Sequence, residues 1–384
     1  MAGELNDLSG RAKRIFYALY RQGPLTKKEL QAALNLKLTT LNREMQLLEE
    51  KNLLSGAGEA ASTGGRKAAT YALTPRLYLA GVDLSRTYVR VVLTDLKLQV
   101  RSMEAFALSA RDSAQEVLEK TCALTEKMLR ESGISAGALL GIGIGSVGPL
   151  DRARGILLAP HGFPGTGWDH LSLKTCMEER FSVPCFVDNG ANAAVLAEYL
   201  FGMGKNRQSV AYIHCGVGIR SAVIKDGRIL RTMNDHEDAF GSMAVVLGQG
   251  RRSLEELSSL GAVASALSGG TGPVGVWNEA DYRKVLETVP VDDEAVRSRL
   301  RERAGIFGVG LANFARLLNP DVIILSGPLM LHFELYYRAC ADAFYGDAPR
   351  TAALLSRGGA FQENGIALGA AALVVERLCG TGVI

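Results

Sequence analysis

The sequence predicts an α/β chain in two parts: a winged helix-turn-helix domain over residues 1–75 and a two-lobed α/β body over residues 76–384. Three observations predict it. Residues 10–75 carry the signals of three helices followed by a hairpin. After Thr74-Pro75 the pattern changes to apolar strands, glycine-bearing bends and long helices. Two hairpins of one design, one in each half of the body, suggest a duplicated architecture whose cleft closes on a ligand between the lobes.

The first helix is read in RAKRIFYALYRQG, where Ile15, Phe16 and Leu19 share a face and Gly23-Pro24 stops the run. TKKELQAAL follows, with Thr26 and Glu29 at the spacing of a capping box. After a short turn at Asn35 and Lys37, LTTLNREMQLLEEKNLL puts Leu41, Met45 and Leu48 on one inward face. Thr39, Thr40, Asn42, Arg43 and Gln46 then point elsewhere. Small hydroxyls, amides and an arginine near a helix N-terminus are the side chains that reach base edges and phosphates in a major groove. Short strands at Leu53–Ser55 and Lys67–Ala72 flank a Gly/Ser/Ala tip bearing Gly64-Gly65-Arg66-Lys67. That is a wing, whose Arg66 and Lys67 suit a minor groove or phosphates. A protein-interaction cap with a solvated charged face is the plainer reading; the basic tip tells against it.

Charge agrees. Residues 1–75 hold 11 Lys and Arg against 7 Asp and Glu, and the remainder holds 32 against 33. The basic surplus is therefore confined to the headpiece, which hints at an anionic partner such as double-stranded DNA. With 47% hydrophobic residues in 384, the body can bury substantial cores. The six cysteines are scattered, which points to reduced thiols and to neither a zinc knuckle nor a disulfide framework. The start MAGELNDLSG has no basic n-region or apolar h-region, and the apolar run near Ile366–Val375 is too short for a bilayer. A soluble cytoplasmic protein without membrane insertion is expected.

In the body, YLAGVDLSRTYVRVVLTDL reads as strand, turn at Ser85-Arg86, strand, with Asp83 at the bend. A helix is expected over about Ser113–Glu131, then a buried strand and a Gly/Pro loop in GALLGIGIGSVGPL. SVAYIHCGVGIRSAVIKDGRIL repeats the hairpin, with a bend at Gly216–Gly218 and a turn at Lys225-Asp226-Gly227. Later, RAGIFGVGLANFARLLNPDVIILSGPLM is a helix running into a strand and a Gly-Pro turn. Between the two hairpins, VDNGANAAVLAEYLFG ends a strand in Asp188-Asn189-Gly190 and opens an alanine-rich helix.

On these residues the chain resembles the ROK family of repressors, open reading frames and sugar kinases, from about residue 10 to residue 379. Asn189, Ala191, Asn192, Ala193, Ala194 and Glu198 match the family's Glu-Asn-Asp-Ala-Asn-Ala-Ala-x-x-x-Glu. The Gly-Gly-Arg-Lys tip, RVVLTDL and NPDVIILSG resemble its repressor wing and its strands. The resemblance implies an actin-like, ribonuclease-H-like sugar-kinase body behind the winged helix-turn-helix.

The departures carry chemistry. In family kinases the aspartate of that motif is the general base on the sugar hydroxyl; here it is Gly190. Asp188 would reach in only if the strand end shifted. The phosphate bend Asp-x-Gly-Gly-Thr becomes Asp83-Leu84-Ser85-Arg86-Thr87, which puts side chains where bare backbone would approach phosphate oxygens. Arg86 is read as a solvent-exposed or ion-paired arginine in preference to an anion ligand. The second bend ends in Arg220 instead of glycine, and Gly327-Pro328 replaces Gly-Gly, where proline also removes a donor. ATP binding is therefore not expected. The family's zinc site of one His and three Cys has Ser242 for the His and no Cys between Cys215 and Cys340; His236, a few residues upstream, is no substitute. Of the five residues holding the hexose, Asn189 and Glu255 remain, and Gly190, Ala239 and Ser242 stand for the other three. At roughly 1–1.5 kcal/mol per neutral bond, that loss costs several kcal/mol. Asn189 and Glu255 are ligand candidates, each balanced by a plainer role as a turn residue or helix-end charge.

The expectation is a DNA-binding transcriptional regulator, a repressor by resemblance, with no catalytic residues, cofactor or metal. Thr39, Thr40, Asn42, Arg43, Gln46, Arg66 and Lys67 would contact an operator, and a homodimer or homotetramer would read half-sites about one or two helical turns apart. A sugar-like effector would act through lobe closure. The alternatives are an active ROK sugar kinase carrying a DNA-binding module, a regulator controlled by a protein partner, and a body that serves only to dimerise.

Overall fold

The computed structural model describes residues 5, 7–59, 68–231, 238–248, 250–267, 287–288, 292–347 and 353–380. Arg66, Lys67 and His236 lie outside the described residues.

The headpiece carries the helices α1 (Gly10–Gln22), α2 (Lys27–Leu34) and α3 (Leu38–Glu50) and a small antiparallel sheet. α1 starts at Ser9, whose Oγ accepts from the Ala12 N–H, and stops at Gly23 with φ of 94°. The Thr26–Glu29 capping box forms as the spacing predicts. Leu41, Met45 and Leu48 are buried against α1, and Glu44 is buried among them. The sheet joins β1 (Leu25–Thr26), β2 (Leu54–Glu59) and β3 (Ala69–Leu73) in the order β1-β3-β2. Sequence reading missed β1, and it ended the first wing strand at Ser55. The sequence predicts loop at Gly56 and Gly58; instead a bulge between Gly56 and Glu59 keeps that stretch paired with β3. Gly58 supplies the required φ of 99°.

The body repeats one plan. In its first lobe β4 (Tyr78–Leu84), β5 (Tyr88–Asp95) and β6 (Val100–Ala107) form an antiparallel meander; β7 (Leu139–Ser146) and β11 (Cys185–Asn189) then add in parallel. The order is β11-β7-β4-β5-β6. Every residue of β7 is buried, as a central parallel strand requires. α4 (Ala114–Glu131) covers this sheet, β8 (Leu150–Asp151), β9 (Ile156–Leu157) and β10 (Leu171–Ser172) form a small side sheet, and α5 (Leu173–Phe181) precedes β11. α6 (Gly190–Phe201) leads to the second lobe. There β12 (Ser209–Cys215), β13 (Ile219–Lys225) and β14 (Arg228–Ile229) make the meander, and β17 (Val322–Ser326) and β18 (Leu354–Arg357) add in parallel. The order β14-β13-β12-β17-β18 matches the first lobe strand for strand, so the duplication legible in the two hairpins extends to whole sheets.

Between β14 and β17 come the hairpin β15 (Ala244–Leu247) and β16 (Gly250–Ser253), then α7 (Leu254–Ser258), α8 (Leu260–Leu267) and the long α9 (Glu294–Leu318). α10 (Pro328–His332) and α11 (Glu334–Asp347) follow β17, and α12 (Gly365–Cys379) closes the described fold. α12 lies on β4 and β7, and α6 lies on β12 and β13. The two helices pack face to face as the layer between the sheets. Their approach is close: a Cβ on Gly143 would sit 1.7 Å from the Ala370 carbonyl oxygen, and one on Gly369 would sit 1.8 Å from that of Ala193. Glycine is needed at both places. One apolar cluster runs without a break from α1 and α3 into α6 and α12, so headpiece and body share a core.

Candidate functional site

Two surfaces concern the sequence-predicted site: the outward face of α3 and the cleft between the lobes. On α3, Thr39, Asn42, Arg43 and Gln46 are exposed, and Thr40 is half-buried. Ser9 Oγ donates to Glu44 Oε2 at 2.6 Å, which ties α3 to the start of α1. The other oxygen of Glu44 accepts from Arg43 Nη2 at 2.8 Å, although the Arg43 side chain is 72% exposed. The Ser9 bond and Arg43 together hold the Glu44 carboxyl below its ordinary range. Lys37, the residue before α3, makes no side-chain cap, so the first-turn N–H groups are not satisfied by it.

At the cleft, α6 begins at Gly190 directly after β11. A Cβ there would meet only the Ile366 side chain, at 3.4 Å, so this glycine is not forced by packing. Asp188 is fully buried and does not face open space. Arg231 grips it with Nη2 at 2.9 Å and Nη1 at 3.3 Å, Asn192 Nδ2 donates at 3.0 Å, and Arg377 lies at 3.5 Å. Burial pushes this carboxyl up, but Arg231 and Asn192 outweigh it and leave it below its ordinary value. Asn189, also buried, is the residue before α6, and its side chain does not cap the helix.

The altered bends close on one another. Ser85, Arg86, Thr87, His214, Gly216 and Arg220 are among the residues around a cavity of about 50 Å³. A second cavity of about 20 Å³ lies beside it, against Tyr88, Arg90, His214 and Pro328. Pockets that hold small-molecule ligands run to about 300–1,000 Å³. Arg86 is half-buried and reaches this cavity, so the solvent-exposed reading is corrected: the bend that carries it faces the second lobe and not water. His214 is half-buried between the bends; desolvation, and then the charge of Arg220, lowers its pKa to about 4, so the ring is neutral. Tyr88 donates its O–H to Asp83 Oδ2 at 2.8 Å.

Glu255, in the first turn of α7, is engaged. Its Oε2 accepts from Arg220 Nη1 at 2.9 Å and from the Ile219 N–H at 2.7 Å. The structure thus places Asn189 beside Asp188 and Glu255 beside Arg220, each candidate within its own set of neighbours. Glu198, read only as a motif match, is fully buried; it accepts from the backbone N–H of Met203, Ala360 and Phe361 and pins the end of α6 to the turn before α12. Ser242 Oγ bonds Asp238 Oδ2 at 3.1 Å. A hydroxyl in place of the imidazole does not fit structural zinc, and no metal-binding cluster of His, Cys, Asp or Glu occurs among the described residues.

The sequence reading did not find the joint between headpiece and body. Tyr17 on α1 donates its O–H to Glu376 Oε1 at 2.6 Å. Lys97, in the turn after β5, donates to the Leu19 and Tyr20 carbonyls and so caps α1 from the body. Burial pulls the Lys97 ammonium down to about 8, and the charge of Lys205 adds to this. Tyr20 meets Phe201 edge-on at 5.1 Å, and the Arg21 guanidinium lies 4.9 Å over the Tyr199 ring. α6 and α12 thus each start at the cleft and end on α1. Among the described residues no helix is long and apolar enough to cross a membrane.

Known proteins resemble this chain. The profile of the ROK family matches residues 79–377. The xylose repressor of Bacillus spizizenii strain W23 is 24% identical over 325 residues, covering 83% of this chain and 82% of the repressor. The crystal structure of a ROK family transcriptional regulator, a homologue of the E. coli MLC protein, superposes with a TM-score of 0.76 at 18% identity. It covers 100% of this chain and 98% of its own, a likeness of fold. A ROK hexokinase from Thermus thermophilus matches with a TM-score of 0.60 at 26% identity, over 77% of this chain and 97% of its own. With the family profile spanning the body from β4 to α12, the chain belongs to the ROK family.

Proposed function

We propose that this chain is a non-catalytic, DNA-binding transcriptional regulator, a repressor of the ROK type. Residues 1–75 act as a winged helix-turn-helix domain and residues 76–384 as the effector and oligomerisation body. The observation that carries the reading is the outward face of α3, where Thr39, Asn42, Arg43 and Gln46 stand exposed while its opposite face is buried in the headpiece core. Such a face suits base edges, and the N-terminus of α3, without a side-chain cap, suits a backbone phosphate. Thr40 contributes from the flank, and Arg66 and Lys67 supply wing contacts to the minor groove and phosphates. The similarity to a xylose repressor supports the same role.

Catalysis is disfavoured on three counts. Gly190 stands where the family kinases carry their general base, the bends enclose about 50 Å³, and Glu255 is bound to Arg220. The hexokinase likeness then reflects the shared body. A sugar or another small metabolite that prefers one closure state of the lobes would shift the headpiece through α6 and α12, with Asn189 as a candidate contact. A homodimer would present two α3 helices to a pseudo-palindromic duplex. Selection of a randomised duplex pool by the purified protein at stated salt tests the reading. An inverted repeat should be enriched; nucleotide consumption with a hexose, and no enrichment, would favour the kinase.

A further inference from the structure

A cavity of about 780 Å³ lies where the headpiece rests on the body, far larger than the space between the bends. One wall comes from α1 and α2, with Arg14, Tyr17 and Arg21; the other comes from the end of α6 and the turn after it, with Leu200, Lys205 and Asn206. Its lining among the described residues holds three cations and no carboxylate. Arg14 uses one donor on the Leu34 carbonyl at 3.1 Å, and a guanidinium has five. Lys205 stands close enough to Lys97 to lower that ammonium's pKa, so positive charge accumulates on this side of the joint.

A partly enclosed space with one sign of charge concentrates counter-ions of the other sign. Two guanidiniums and an ammonium suit a group with about two negative charges and several acceptor oxygens, which is a phosphate monoester more than a single carboxylate. Alanine and leucine side chains and the Tyr17 ring offer contact to an uncharged body, and the Asn206 amide offers hydrogen bonds to hydroxyls. The volume matches a ligand of metabolite size.

We infer that this joint cavity binds a small organic phosphate, and that its occupancy sets how the headpiece is seated on the body. Both walls must hold their spacing for one ligand to touch Arg14 and Lys205 together. The site is separate from the cleft between the lobes; phosphate binding there does not depend on the reading of the chain as a regulator, whereas the seating claim rests on it.

Calorimetry on the full chain without DNA tests it. The probes are glycerol 3-phosphate, a hexose 6-phosphate and a nucleoside 5′-monophosphate, each against sodium sulfate at equal ionic strength. At least one probe should bind saturably where sulfate does not. The exposed pair Arg14→Gln with Lys205→Gln should weaken it at least tenfold, and Arg86→Gln in the cleft should change it less than twofold. Should the double variant fail to fold, Lys205→Glu alone should give the same loss. Binding no tighter than sulfate for all three probes, or binding indifferent to Lys205, would overturn the proposal. A further titration with an operator present reads the seating: the probe should change duplex affinity at least threefold, and no change would remove the seating claim.

Discussion

Arg220 Nη1 lies 2.9 Å from Glu255 Oε2, so the arginine at the second bend occupies the glutamate that the resemblance to the family marks as a hexose ligand. The two residues are 35 positions apart in sequence, and neither explains the other until the bend and α7 are brought together. This pairing lets the restoration of the base be argued. Gly190→Asp has room beside Ile366. It should nevertheless give no hexose-dependent ATP consumption in a coupled assay, because the bends and Glu255 stay closed. Turnover in this variant would show that the base alone had been missing.

Asp188 joins β11 to Arg231 beyond β14 and to Arg377 on α12. Removing one partner of a buried ion pair leaves the others uncompensated. Asp188→Ala should therefore cost about 3–5 kcal/mol in urea denaturation, and Asp188→Asn less. The folded pKa is below the ordinary value of 3.8, so this contribution is complete above that pH and is lost as pH falls through the lower folded value.

His214 gives a separate acid dependence. Its folded pKa of about 4 lies below the ordinary 6.5, so between these values the unfolded chain binds the extra proton and stability rises with pH. Acidification from pH 6.5 to 4 should remove roughly 3 kcal/mol through this ring. Denaturation midpoints for His214→Asn should lose that part of the slope.

Tyr17 and Glu376 connect the headpiece to α12. Tyr17→Phe leaves a carboxylate that is 1% exposed without its phenolic donor. A loss of about 1.5–3 kcal/mol is expected, as for a hydrogen bond to a charged group. Lys97→Met removes the cap on the α1 carbonyls. Both variants should keep operator affinity within a few-fold while amide exchange in α1 speeds up; unchanged exchange would deny the joint its role.

What was legible in the sequence was local. The Thr26–Glu29 box, the bends at Ser85-Arg86 and Gly216–Gly218, and the buried β7 follow from short-range patterns, and the structure has each of them. The inward face of α3 was legible from Leu41, Met45 and Leu48, but the burial of Glu44 was not, since its partner Ser9 caps the start of another helix. Glycines at 56 and 58 read as loop because their bulge needs the partner strand β3 to show itself. Contacts such as Lys97 to Leu19 and Arg231 to Asp188 join groups 78 and 43 residues apart, and no periodicity encodes them.

The central claim is that α3 reads a duplex. The most direct measurement is equilibrium binding of purified protein to its selected duplex at about 0.15 M salt, comparing the unaltered chain with Arg43→Ala and with scrambled DNA. The account predicts specific binding at least a thousandfold tighter than to scrambled DNA. It also predicts a loss of about 1–3 kcal/mol, with relaxed specificity at one position, in Arg43→Ala. Equal affinity for both duplexes, or an Arg43→Ala curve that overlays the unaltered one, would contradict it.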